Sequence, residues 1–584
     1  MRKRDFAAMV GPSVVVMVGL LAVPLYRTIQ WSLQRVTYGD PGTFVGLANY
    51  RQALTDPRFG RAVLFTVGLT LFVTAALLIG GYLLAILVNG LGRLRPFVLG
   101  AMLVSYVVPQ IVGATMFSWL FDKNFGGVVN YLINAITGSE ILWLTDPWPN
   151  RLLIALDTIW FLIPFAMLVI MAGLQGVPDE IIEASRIDGA STRNRHWHVI
   201  MPQHPRRAGL RRADLDHGRV TGLRRAGPVV AAGPTDRQRV DHALHLRRRV
   251  PRRRPAAGCR QRDQRVVDHL DRDHALAVHP QRLEGGSAGM TTSTASDLRP
   301  VAITSTTGAA TRSRARGSAW VGLFLIVVCL VMLAPVIWTA ASVTKPTDVA
   351  FLNPPVFSYH PTLKAFVDLW QTTYFYKYLI NTVVVAAIST VLALLIGLPA
   401  AYALSRFGSW ISAVLLILAL IFRALPRFAV VLPMYDLSKA IGVYDTTYAV
   451  AIALVAINQP FSIWLLRNFF AEIPRQLDEA AMIDGCTRWQ TLRTIMIPLM
   501  GPGIITAGIF IFLFAFQEYM TALILTDVEA RTVPVFIATQ LGQTLPMLQQ
   551  AGAAALLLTL PVIAFAFIAQ KYLVAGLSSG SVKG

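Results

Sequence analysis

The chain reads as an all-α membrane protein with about four transmembrane helices in its first half and six in its second. Of its 584 residues 54% are hydrophobic and only 15% charged, against roughly 45–50% and 25% in soluble globular domains. Ten apolar runs are long enough to cross a bilayer core, which takes roughly 20 helical residues. A segment lying between two of these runs also recurs in the second half, with seven residues coinciding at identical spacing.

Four runs lie early, at 6–26, 62–91, 96–121 and 152–177, the last carrying Asp157. Six lie late, at 319–344, 378–404, 410–435, 447–466, 503–526 and 552–569. The first follows Arg2, Lys3 and Arg4, but no small-residue cleavage pattern follows it, so it reads as a retained helix and not a signal peptide. If every run spans, the basic N-terminus, Arg93, Arg95 and the arginines from Arg186 to Arg195 share one side of the membrane. In the second half the Arg312 to Arg316 cluster and the arginines from Arg467 to Arg493 share a side by the same count. Positive charge marks that side as cytoplasmic. Abundant apolar residues exclude disorder, and three cysteines (Cys259, Cys329, Cys486) exclude a disulfide-stapled scaffold.

The repeated segment aligns without gaps at an offset of 296. Pro178, Glu183, Ala184, Ile187, Asp188, Gly189 and Pro202 recur as Pro474, Glu479, Ala480, Ile483, Asp484, Gly485 and Pro498, with Ser185 facing Ala481 in the alignment. Proline starts a helix, alanine and glutamate sustain it, and glycine ends it before a second amphipathic stretch. The expectation is helix, turn, helix between two spans, with small side chains that let another protein approach and two carboxylates for docking. A re-packed loop is the structural alternative.

This pattern resembles the EAA motif of the permeases of carbohydrate-uptake ABC transporters (binding-protein-dependent inner membrane components of the maltose, glycerol-phosphate and trehalose type). Gly46-Leu47-Ala48-Asn49-Tyr50 in the first external loop and the C-terminal stretch from Gln570 to Leu577 are similar to family features as well. Residues 1–202 resemble a first permease with helices 1 to 4 and its coupling segment. Residues 290–584 resemble a second permease, with a tail at 290–318 and six helices in 319–584. The resemblance implies the type I ABC importer transmembrane fold, two permeases fused in one chain, and a multi-pass protein of the cytoplasmic membrane. It further implies two ATP-binding cassette subunits docking on coupling helices at Glu183, Ala184, Ser185, Asp188, Gly189, Pro202 and at Glu479, Ala480, Ala481, Asp484, Gly485, Pro498. An extracytoplasmic solute-binding (lipo)protein would deliver a sugar or sugar-like solute, carried by ATP-coupled alternating access. Ser185, Arg193 and His196 depart from the family pattern, so the first coupling helix is expected to dock less well.

No Gly-rich phosphate loop with Lys and Ser or Thr is present, so the chain is not expected to be an enzyme or to bind a cofactor or metal itself; ATP and Mg belong to the partner subunits. Polar groups inside spans are costly and therefore informative. Gln517 and Glu518, expected mid-helix, and Arg423, in the third late span, are the candidate solute-cavity residues. Asp157 reads as structural. An ion-coupled secondary transporter, with Glu518 and Arg423 as relay groups, and an inactive frame-shifted fusion are the alternatives.

Residues 203–289 hold 20 Arg, no Lys, 9 Asp plus Glu and seven of the ten His, a net +11 out of the chain's +21, with no Phe, Tyr, Trp, Ile, Met or Asn. Without aromatics for base stacking, a nucleic-acid partner is not expected. The 87 residues match in length the 86 that follow Pro498 and supply two helices of the second half. Their vocabulary is that of GC-rich DNA read out of frame. A one-base displacement turns every Asp and His codon into one for Ile, Met or Thr, so Asp268, His269, Asp271, Asp273, His274 and His279 would all join an apolar run. The segment therefore reads as out-of-frame translation replacing the last two helices of the first permease.

Overall fold

The computed structural model describes residues 3–36, 42–91, 94–175, 177, 179–191, 194–200, 310–407, 410–541 and 544–578. The Arg-rich segment 203–289, most of the tail at 290–318, Pro178, Arg193 and Pro202 lie outside the described residues. In the first half the spans are α1 (Arg4–Ser32), α2 (Pro57–Asn89), the pair α3 (Arg95–Val107) and α4 (Gln110–Phe121), and α5 (Pro147–Gln175), followed by the short α6 (Asp179–Ile187). In the second half they are α7 (Trp320–Thr344), α8 (Phe375–Arg406), the pair α9 (Trp410–Ala424) and α10 (Arg427–Ala440), and α11 (Thr447–Glu472). After the short α12 (Arg475–Ile483) come α13 (Gly501–Phe516), α14 (Met520–Leu525), α15 (Val533–Gln540) and α16 (Leu545–Ser578). Two compact units result, one holding residues 474–498 and the other holding 1–213, 324–473 and 499–584.

Three early expectations need correction. The runs 96–121 and 410–435 do not make straight helices: α3 and α4 meet at 99°, and α9 and α10 at 88°. The breaks fall at Val108-Pro109 and Leu425-Pro426, because proline bars the preceding residue from helical geometry and lacks the amide that would continue the ladder. The run 503–526 is interrupted as well, with α13 ending at Phe516 and α14 beginning at Met520.

The internal repeat extends from sequence into packing. Gly81 on α2 lies so close to α5 that an added Cβ would come 3.2 Å from Ala166 and 3.3 Å from Ile170. Gly397 on α8 meets Ser462 and Leu466 of α11 in the same way, and these partners stand 296 residues after Ala166 and Ile170. Each half thus has a glycine crossing at the same place, where loss of the side chain lets two backbones approach. Pro164 in α5 and Pro460 in α11 also correspond.

The halves exchange their first helices. Ser13 of α1 donates to the Ile396 carbonyl of α8 at 3.0 Å, and Thr28 donates to the Ala429 carbonyl of α10. In return α7 lies on the first half: Trp338 Nε1 donates to the Trp119 carbonyl at 3.0 Å, and the Met332 carbonyl accepts from Trp160 Nε1 at 2.8 Å. Trp119 is fully buried, and it and Val343 of α7 both close on Gly552 of α16.

On the outer side, Gly46 takes a left-handed conformation (φ 59°), and Asn49 Nδ2 donates to the carbonyls of Ser32 and Gln34 at 3.0 and 2.9 Å, capping the end of α1. This accounts physically for the Gly46 to Tyr50 motif. A second external clasp is made by Asp445, whose carboxylate accepts the backbone amides of Asp527, Val528, Glu529 and Ala530 at 2.9–3.0 Å. Burial alone would raise this carboxyl, but the four amides outweigh it and hold it below the usual range.

Replacing Gly552 by alanine would set a Cβ 2.5 Å from the Trp119 ring and 2.6 Å from Val343, an overpacking that costs about 1–3 kcal/mol. Gly552→Ala should therefore lower the thermal unfolding midpoint in detergent, whereas Gly68→Ala, facing open space, should not. Because the Asp445 pKa is depressed on folding, its stabilisation is complete above the unfolded value of about 3.9 and is lost as pH falls through the lower folded value. Protection factors at amides 527–530, taken against the intrinsic exchange rate at each pH, should be high at neutral pH and fall only in strong acid; in Asp445→Ala they should be low at both.

Candidate functional site

Three helix breaks converge on one cavity of about 690 Å³. Tyr106 and Gln110 flank the first break, Arg423 and Arg427 the second, and Gln517, Glu518 and Tyr519 form the third. Phe161 and Phe165 of α5 and Phe461 of α11 supply apolar walls beside the two intrahelical prolines. The cavity repeats the fold's internal relation, for Tyr106, Pro109 and Gln110 stand 317 residues before Arg423, Pro426 and Arg427.

A broken helix leaves carbonyls without amides, and inside a bilayer no water replaces them. Gln517 meets this need across the halves: its Nε2 donates to the Tyr106 and Val107 carbonyls, both at 3.0 Å. Glu518 is buried, pairs with Arg427, and accepts from the Thr521 amide and hydroxyl at 3.1 Å. The Arg423 guanidinium lies over Phe514 and Phe461, 5.2 and 5.9 Å from the ring centroids, and has no ion-pair partner among the described residues. Tyr106 stacks on Phe165 at 5.4 Å.

All three sequence candidates, Arg423, Gln517 and Glu518, line this cavity. Gln517 and Glu518 are not mid-helix as expected; they occupy the turn after α13, because the chain leaves helical geometry there. Arg427, Gln110 and the aromatic walls were missed, although Pro109 and Pro426 marked the places. Asp157, read as structural, also lines the cavity. Among the described residues no cluster of His, Cys, Asp or Glu could hold a metal ion.

The two repeated segments have the same backbone. The amides of Asp188, Gly189 and Ala190 donate to Ala184, Arg186 and Ser185, and those of Asp484, Gly485 and Cys486 donate to Ala480, Met482 and Ala481, with paired lengths of 3.0, 3.1 and 3.0 Å. Gly189 and Gly485 are left-handed (φ 72° and 84°), as this helix stop requires. A restart cap follows in each: Ser191 Oγ accepts the Asn194 amide, and Thr487 Oγ1 the Gln490 amide, both at 3.3 Å. A π-helical turn comes next, Arg195–Ile200 in one and Leu492–Met496 in the other. Ser185 and Ala481 are both buried, and the Ser185 hydroxyl donates back to the Ile182 carbonyl at 2.7 Å, which absorbs its extra polarity locally. Glu183, Asp188, Glu479 and Asp484 are exposed, and Ile187 and Ile483 are 87% and 86% exposed.

The model of the family described as "Binding-protein-dependent transport system inner membrane component" matches this chain twice, over residues 48–204 and 393–579. The chain belongs to that family. Curated relatives of this permease match about half of it and nearly all of themselves, as a fusion of two permeases requires. The "Probable ABC transporter permease protein y4oR" of Sinorhizobium fredii is 40% identical over 45% of this chain and 94% of its own length. The trehalose/maltose transport system permease protein MalG of Thermococcus litoralis is 35% identical over 44% and 94%. The trehalose transport system permease protein SugB of Mycobacterium tuberculosis is 34% identical over 46% and 98%. The permease is thus a multi-pass protein of the inner membrane, with the type I ABC importer fold.

Glu518→Gln and Arg427→Gln should each lower the thermal midpoint by stranding the other member of the pair. The double variant should lose less than the sum, with a coupling of about 0.5–3 kcal/mol; strict additivity in unfolding measurements would remove the pair from the account.

Proposed function

We propose that the chain is the membrane permease of an ATP-driven importer of a sugar or sugar-like solute. The duplicated cytoplasmic segment carries this reading. Two helix stops of the same geometry each present an isoleucine, 87% and 86% exposed, beside two exposed carboxylates, and it is the repetition of this whole arrangement in both halves that supports a docking role. Two ATP-binding cassette subunits would cover them, with ATP and Mg held there and not on this chain. A solute-binding protein would load the cavity from outside, and alternating access would open it to each side in turn.

The cavity chemistry supports the solute class. Ring faces of Phe161, Phe165, Phe461 and Phe514 suit the C–H faces of a pyranose, while Asp157, Gln110 and Arg423 offer acceptors and donors for hydroxyls. The named substrates of the relatives, trehalose and maltose, are of this kind.

Ile187→Asp and Ile483→Asp should each reduce co-purification of the ATPase subunits, and the double variant should abolish it together with solute uptake, while the thermal midpoint of the chain stays unchanged. Undiminished ATPase recovery from the double variant would overturn the assignment.

A further inference from the structure

Away from the central cavity, a groove of about 500 Å³ runs between α2 and α5, with Arg61, Trp148 and Arg151 at its outer end. Its α2 wall is the stripe Arg61, Leu64, Phe65, Gly68, Leu69 and Phe72, the spacing of a single helix face. At a rise of about 1.5 Å per residue the stripe descends about 16 Å from its arginine. That is roughly half of a hydrocarbon core about 30 Å thick, the depth of one leaflet. Midway, an added Cβ on Gly68 would meet nothing within 4 Å, so the wall has a notch there.

The charges at the mouth are held but not neutralised. The Arg151 guanidinium lies over the rings of Trp148 and Phe65, 4.9 and 5.5 Å from their centroids. Ring stacking occupies the flat faces of a guanidinium and leaves its N–H edge free, the edge that grips a phosphate. Arg61 is exposed, and neither arginine has an ion-pair partner among the described residues. Trp148 is exposed as well, as suits a ring at the level of lipid headgroups.

The second half shows which way this face points. α2 and α8 correspond at an offset of 316 and α5 and α11 at 296, so Ile380, Val384 and Tyr448 stand for Leu64, Gly68 and Leu152. All three are exposed, so the face is bare even in the half that has six spans. There, however, valine fills the notch, Thr447 stands in the place of Arg151, and Lys377, in the place of Arg61, pairs with Glu529 at 2.5 Å.

We propose that the α2–α5 groove binds one anionic phospholipid of the outer leaflet, its phosphate between Arg61 and Arg151 and one acyl chain along the stripe past Gly68. Two cations without a counter-ion select a net negative headgroup such as that of phosphatidylglycerol. A zwitterionic headgroup would bring an ammonium group beside them. The apolar wall below selects a lipid over a free phosphate, which would leave that wall uncovered.

Native mass spectrometry of the full chain, delipidated in neutral detergent and offered phosphatidylglycerol, phosphatidylethanolamine or glycerol phosphate, tests this. One phosphatidylglycerol should bind in preference to the other two, and Arg61→Gln combined with Arg151→Gln should weaken its binding by roughly tenfold or more. Gly68→Leu fills the notch and leaves both arginines in place, so it reads the site independently of any part they have in folding; it should weaken binding too. Lys377→Gln should not. A phosphatidylglycerol with a diazirine in its acyl chain should label α2 between Gly68 and Phe72. Equal binding of phosphatidylethanolamine or glycerol phosphate would overturn the proposal, as would undiminished binding of phosphatidylglycerol by either the double arginine variant or Gly68→Leu. Label spread evenly over the lipid-facing helices would overturn it as well, leaving only the ordinary lipid annulus.

Discussion

The structure depends on a constraint that the bilayer imposes: a helix may break inside the membrane only where other protein groups take up the freed backbone. Three breaks meet at one place here, and each helps to satisfy the others. Gln517 at the third break holds the carbonyls of the first, and the second delivers Arg427 to Glu518. The cavity is therefore no gap left by poor packing. It is the volume that opens when three spans stop short of continuing straight, walled by the aromatic residues of α5 and α11.

The exchange of first helices makes neither half self-sufficient. Ser13 and Thr28 of α1 bond to the second half, and Trp338 and the Met332 carbonyl of α7 bond to the first. Fusion into one chain suits such an arrangement, because two separately made permeases would each have to expose a surface meant for the other.

Much of this was legible in the sequence, for reasons that particular residues make plain. Run length found every candidate span among the described residues, since hydropathy reports the cost of burying polar groups in lipid. The offset of 296 found both coupling segments because Gly189 and Gly485 are fixed by backbone geometry and not by taste in side chains. Run length was blind to the breaks at Pro109 and Pro426, since an apolar count does not register a missing amide; the prolines themselves were the available signal. Arg427 and Asp157 were passed over because a lone charge in a span has two readings, and only the convergence of distant segments chooses between them. The Gly81 and Gly397 crossings were legible only after both partners of each contact were known.

The cavity's formal charges have an electrical consequence. With all four groups ionised, Asp157 and Glu518 balance Arg423 and Arg427 among the residues lining it, and the lining then adds no net charge to whatever it holds in the membrane field. Carrying one unbalanced charge across would exchange about 2.3 kcal/mol with every 100 mV of membrane potential. A neutral guest held among these four ionised groups would add nothing to that exchange.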